Sequence, residues 1–195
     1  MEIFAELSIR ILVSIFFIGF MLKNVITAIR TKKAIRSKSG KVNLIIFNSI
    51  ILGLVAFTNH PDYFIWIKSL DFSIIKIIGL VIVFLACVLG ITTLITMKDS
   101  WRVGIRPEQK TELVINGVFK LSRNPFFLSF NLMFLGIFLV HPTLVYLIFY
   151  LMFIIILHLI IKDEEKHLML QHGESYKNYK DSVNRYFPIR FSNIK

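Results

Sequence analysis

Long apolar runs separated by short basic segments dominate the chain. A bilayer-crossing helix needs about 20 apolar residues, with a range of about 17–25. Five runs approach that length: Ile9–Ile29, Val42–Thr58, Ser73–Met97, Phe126–Val140 and Thr143–Ile161. The fourth is short, and only His141 and Pro142 separate it from the fifth. Backbone polar groups cannot be left open in hydrocarbon, so these two runs are predicted to form a helical hairpin. The expected fold is all-α: a polytopic integral membrane protein with about five transmembrane helices, the C-terminal hairpin and short cytoplasmic helices. One membrane domain over residues 1–195 is expected, with three spans in 1–97 and a polar loop, the hairpin and a polar tail in 98–195.

The polar segments carry their own pattern. Residues 98–125 contain Asn116-Gly117, a turn signal. In the tail, Glu164 and Leu168 are one helical turn apart, as are Glu165 and Met169, and Gly173 follows where a helix C-cap is expected. Tyr176, Tyr179 and Val183 then share one face of a second short helix. Tyr63, Phe64 and Trp66, within His60–Phe72, fit an outer interfacial stretch.

Charge orients these elements. The first loop carries Arg30, Lys32, Lys33, Arg36, Lys38 and Lys41. The third carries Lys98, Arg102, Arg106, Lys110, Lys120 and Arg123. The tail adds Lys162, Lys166, Lys177, Lys180, Arg185, Arg190 and Lys195, so nineteen of the 23 basic residues fall on one side. The positive-inside rule makes that side cytoplasmic. An outer N-terminus and an inner C-terminus require an odd number of spans, in agreement with five. Lys23 and Lys76, near span ends, are placed to snorkel. The net charge of +11 is thereby an orientation signal, and nucleic acid is excluded as a partner.

Composition agrees with a lipid solvent. The chain is 55% hydrophobic with 19 Phe, against about 45–50% apolar residues in soluble domains. Its mean hydropathy is +0.69. The lone Cys87 lies in an apolar run and reads as packing. Glu2 and Glu6 stand where a secretory signal would be basic, so the first span is expected to stay in the protein. His60, His141, His158, His167 and His172 show no ligand spacing, and no metal site is expected.

The order of motifs in the second half carries a resemblance. Gly117-Val-Phe-Lys-Leu-Ser-Arg123-Asn124-Pro125-Phe-Phe127 precedes the hairpin; Glu164-Glu165-x-x-Leu168, Gly173-x-x-Tyr176-x-x-Tyr179, Val183, Arg185 and Pro188 follow it. Thr111-Glu112-Leu113-Val114 and Trp101-Arg102-Val103-Gly104-Ile105 lie upstream. The arrangement resembles bacterial-type members of the isoprenylcysteine carboxyl methyltransferase and phospholipid methyltransferase family, over residues 98–190. The family's Gly-Pro-Tyr turn and Arg-His-Pro-x-Tyr motif are met with substitutions: Asn124 replaces a His, Phe119 and Phe127 replace Tyr, and Ser129 replaces a Gly. Asn124 keeps hydrogen-bonding capacity but cannot titrate. Leu159 and Ile160 occupy the region where members acting on prenylated protein ends place an Arg, which argues against a prenylcysteine carboxylate.

The resemblance implies S-adenosylmethionine as cofactor and a membrane-borne lipid or lipid-modified, isoprenylcysteine-like acceptor. It also implies a place among membrane lipids in the inner (cytoplasmic) membrane of a bacterium, with the site on the cytoplasmic face. Methyl transfer from a sulfonium is an in-line displacement of an activated group, so the protein mainly positions and desolvates the reactants. A carboxylate acceptor needs no base; an amine must lose a proton.

Leu113 and Val114 can offer backbone groups to the adenine. By analogy Glu164 is the cofactor-contacting acid, with Glu165 beside it, and Phe119, Asn124, Pro125 and Phe127 occupy cofactor-binding motif positions. Arg123, Asn124 and Glu164 are the implied catalytic residues, Arg123 holding the cofactor carboxylate as a charge-assisted pair. Asn131, a polar residue inside the fourth span, is expected to face substrate.

Plainer readings stand beside these. The Glu pair can be an ordinary acidic pair where a helix leaves the membrane, and Arg123 an interfacial anchor. The stripe Phe126, Phe130, Phe134 and Phe138 reads first as packing and second as the wall of a lipid-tail tunnel. Two rival functions remain on the sequence: an NADPH-dependent membrane reductase of the sterol-reductase kind, and a non-enzymatic membrane protein.

Overall fold

A computed structural model describes residues 2–32, 73–102 and 111–187. The expected second span, the outer interfacial segment, Arg106, Lys110 and the chain from Pro188 onward lie outside the described residues. Five helices are described: α1 (Glu2–Thr31), α2 (Ser73–Thr96), α3 (Pro125–Val140), α4 (Leu144–His172) and α5 (Glu174–Ser182). Short 3-10 turns occupy Lys98–Ser100 and Gly117–Lys120. Among the described residues all of these elements are helical, and α1, α2 and α4 are long and apolar enough to cross a membrane. The chain is a helical integral membrane protein.

α3, with 16 residues, is shorter and spans roughly 24 Å at 1.5 Å per residue. It is apolar all round, which marks a helix surrounded by protein, and Leu128, Phe130, Met133, Phe134, Ile137 and Val140 are all buried. Its closest approach is to α2. A Cβ on Gly136 would stand 2.6 Å from Val83 Cγ2 and 2.7 Å from the Gly79 carbonyl. Small residues thus let the two backbones touch, the usual device of helix packing in lipid.

The Phe stripe turns into this core. Phe130 meets Phe16 edge-on at 5.0 Å, and Phe134 lies 3.9 Å from Phe153. Phe138 packs at the core's edge, so the stripe is packing. The outer faces of α1, α2 and α4 instead expose aliphatic side chains such as Ile18, Ile78 and Ile155.

The His-Pro turn closes the hairpin as predicted. The His141 N–H bonds the Ile137 carbonyl, and the Thr143 hydroxyl accepts from the Tyr146 N–H to start α4. α4 is apolar as far as Ile161 and then continues through Lys162–His172, because no Gly or Pro interrupts it before Gly173. The expected first cytoplasmic helix is therefore the polar end of the last span. Gly173 takes φ +53 and its N–H closes on Met169, as its C-cap position requires.

At the basic end of the bundle, Trp101 Nε1 donates to Asn24 Oδ1 at 2.8 Å and Lys23 Nζ donates to the Lys98 carbonyl at 2.7 Å. These bonds hold the exit of α2 against α1. Lys23 thus meets a main-chain carbonyl where the sequence placed it to snorkel.

Candidate active site

Three segments converge beyond the apolar bundle: residues 111–124, the polar end of α4, and α5 with the chain that follows it. Gly117 adopts φ +60, a backbone state that suits glycine, and starts the turn that buries Phe119. Phe119 packs with Tyr176 and Tyr179 from α5, joined by Leu113, Val114 and Leu168. The Tyr179 hydroxyl donates to the Phe119 carbonyl at 2.7 Å, fixing the turn to α5.

Glu165 is the centre of this assembly and is only 6% exposed. Its Oε1 accepts from Arg123 Nε at 3.0 Å and Asn124 Nδ2 at 3.1 Å. Its Oε2 accepts from Arg185 Nη2 at 2.8 Å and Nε at 3.1 Å. Burial alone would raise its pKa, but the bonds from Arg185, Arg123 and Asn124 outweigh burial and hold the carboxyl below its ordinary value.

Arg123 does more than neutralise. Its Nη1 donates to the carbonyls of Lys180 and Val183 at the end of α5, and its backbone N–H reaches the Asn184 carbonyl. Orphan carbonyls at a helix C-terminus are thereby satisfied by a cation. Ser122 Oγ and Asn124 Nδ2 both donate to the Arg185 carbonyl. Loop, span and tail are thus tied at one carboxylate.

Glu164 behaves differently from its neighbour. It has no hydrogen-bond or ion-pair partner among the described residues, and it lines a cavity. Burial, and then the Glu165 carboxylate, push its carboxyl up to about 7. Leu113, Val114, Phe119, Arg123 and Asn124 share that cavity.

The lining also includes residues to which the sequence had assigned no role in the site. Met97, Ser100, Arg102, Thr111 and Glu112 border it from the α2 exit and the loop. His167, Leu168 and Gln171 border it from α4, and Tyr176 and Tyr179 from α5. The α4 set was legible, since 164, 167, 168 and 171 form one helical face. The α2-exit residues had no such signal. Tyr176 is 1% exposed and its hydroxyl makes no hydrogen bond of standard geometry, although the Arg123 guanidinium stands near enough to oppose the effect of burial on its ionisation.

The remaining expected residues lie elsewhere. Pro125 opens α3 as a buried first-turn residue, and Phe127 packs at the edge of the core. Glu165 is held in the Arg123–Asn124–Arg185 clamp and does not line the cavity. Asn131 Nδ2 donates one turn back to the Phe127 carbonyl, away from the cavity lining. Among the described residues no group of three His, Cys, Asp or Glu side chains is placed to hold a metal.

A family model for phospholipid methyltransferases matches residues 74–175. The chain belongs to this family. The match runs from α2 through the hairpin into α5 and takes in the loop, Arg123, Asn124 and the Glu pair. No curated protein matches the chain. The phospholipid methyltransferase family places the chain among membrane methyltransferases acting on lipids, ahead of the reductase and non-enzymatic alternatives.

Proposed function

We propose that the protein transfers a methyl group from S-adenosylmethionine to a membrane-borne lipid, with the cofactor held in the cavity beside Glu164. One observation carries the reading: of two adjacent carboxylates, Glu165 is saturated by Arg123, Asn124 and Arg185, while Glu164 lines the cavity without a partner. A half-buried unpaired carboxylate is costly, and the cofactor's ammonium or ribose hydroxyls would satisfy it. The buried Tyr176 hydroxyl in the same cavity fits the same polar ligand.

In this reading Leu113 and Val114 offer backbone groups to the adenine, and Phe119 and Leu168 give the apolar wall that a sulfonium requires. When bound, the cofactor supplies an activated methyl group. Arg123 and Asn124 serve by position, fixing Glu165 and with it the tail that closes the cavity, and Pro125 and Phe127 seat α3 beneath it. Helices α1 and α2 support the site, and residues 98–195 carry the loop, the hairpin and the tail within one membrane domain. The basic flanks support a cytoplasmic site in a bacterial inner membrane.

The test is calorimetric titration of the detergent-purified protein with S-adenosylhomocysteine beside its Glu164→Ala variant. Saturable binding that the variant loses supports the pocket. Absence of binding by a folded wild-type sample overturns it.

A further inference from the structure

His158 lies within the apolar part of α4, one turn before Lys162. An imidazole at membrane depth is unfavourable without a partner, and such residues mark functional positions with the partner as a guide. Here Nδ1 lies 2.7 Å from the Tyr186 hydroxyl, contributed by the chain beyond α5. Tyr186 directly follows Arg185, which grips Glu165. His158 and Glu165 are seven residues apart, two turns along one face of α4, or roughly 10 Å.

The pair therefore continues the polar seam of the site into the membrane. Both side chains are half-buried. Around them Ile155, Leu159 and Phe187 are exposed, Phe187 at 60%.

The hydrogen-bond inventory sets the chemistry. Burial raises the Tyr186 pKa and the Arg185 charge only partly opposes it, so the phenol keeps its proton at neutral pH. The two groups share one hydrogen bond, and in the tautomer whose Nδ1 is unprotonated the phenol donates to it. With Nδ1 accepting, the ring's proton sits on Nε2, a donor. Lys162 adds a cation at i+4. A donor and a cation at the edge of an apolar surface select an anionic oxygen.

We infer that His158, oriented by Tyr186 and helped by Lys162, binds the phosphodiester of the lipid acceptor. The order of groups along α4 matches the order within a phospholipid. Apolar Ile155 comes first, His158 and Lys162 next with Leu159 between them, and the Glu164 cavity last.

 Ile155 and Leu159 would meet the acyl chains, His158 and Lys162 the phosphate, and the headgroup beyond it would point toward Glu164. This rests on the lipid-methyltransferase reading for its purpose, and on the α4–tail geometry for its site.

The test uses the full-length protein in detergent micelles, with two probes: spin-labelled phosphatidylethanolamine and spin-labelled diacylglycerol, which lacks the phosphate. The wild type is expected to favour the phospholipid about tenfold. His158→Phe and Tyr186→Phe keep the rings, remove the donor or its orienting hydroxyl, and should erase that preference. S-adenosylhomocysteine affinity should stay unchanged in both variants. No preference in the wild type, or a preference retained by both variants, overturns the inference. Displacement of the lipid by millimolar inorganic phosphate would support the phosphodiester as the group recognised. Inorganic phosphate binding without any lipid preference would overturn the lipid assignment. The S-adenosylhomocysteine titration of the wild type reports separately on the methyltransferase reading.

Discussion

Arg123 Nε donates to Glu165 Oε1 across 3.0 Å, joining the loop before α3 to the polar end of α4. Both side chains are largely withdrawn from solvent, at 8% and 7% exposure. Removing one partner from a buried ion pair leaves the other charge uncompensated, at a cost of about 3–5 kcal/mol. Glu165→Ala is therefore expected to lower the thermal unfolding midpoint in detergent sharply. Arg123→Lys should lower it as well, because an ammonium cannot serve Glu165, Lys180 and Val183 together as the planar guanidinium does. A midpoint unchanged in both variants would refute the clamp.

Glu164 should respond in the opposite sense. Its carboxyl is raised from 4.5 to about 7, so the folded protein binds a proton more tightly than the unfolded chain. Its contribution therefore favours the folded state below about pH 4.5 and is lost as pH rises through about 7. Glu164→Gln is expected to raise the unfolding midpoint at pH 8 and leave it nearly unchanged at pH 4. The same substitution should weaken S-adenosylhomocysteine binding about tenfold or more. For the wild type that binding should tighten as pH rises through about 7, when the carboxylate forms. Calorimetry across pH 5.5–8.5, roughly 1.5 units on either side of that value, checks both statements; pH-independent binding would remove Glu164 from the pocket.

The contact of α2 with α3 leaves no room for a side chain at Gly136. Its Cβ would meet Val83 and the Gly79 carbonyl, both fixed parts of the neighbouring helix. Gly136→Ala should destabilise the protein by about 1–3 kcal/mol, the usual cost of overpacking a close-packed core. A thermal melt equal to the wild type's would show that the helices can separate freely.

The Asn131 amide nitrogen donates within its own helix to the Phe127 carbonyl. Asn131→Leu is accordingly expected to change the acceptor-lipid KM by less than about twofold, since no bond to another element is lost. A rise of tenfold or more in steady-state assays would support the substrate role that the sequence assigned to it.

Helices occur over four of the five expected runs, three of them long and apolar enough to cross a membrane, because hydrophobic length and the His141–Pro142 break act locally; α1 nevertheless begins at Glu2 and α4 runs on to His172. Gly117 and Gly173 were legible for the same reason: each takes a positive φ that its neighbours in sequence already called for. The motif order also marked the loop and the Glu pair. The resemblance put Glu164 ahead of Glu165 as the cofactor contact, but nothing in the sequence showed what would hold Glu165. Glu164 and Glu165 are adjacent and chemically identical, and helical geometry turns them about 100° apart. Only the packing of Arg123, Asn124 and Arg185, from segments up to 62 positions apart in the chain, decides which carboxylate is saturated and which faces the cavity.

The apolar runs by themselves thus determined a helical membrane protein with a hairpin near its C-terminal end, since lipid forces each span to satisfy its own backbone. Tertiary structure alone decided the site. Ion pairing, the fate of Asn131 and the meeting of His158 with Tyr186 depend on which faces three distant segments present to one another. No local periodicity encodes that relationship.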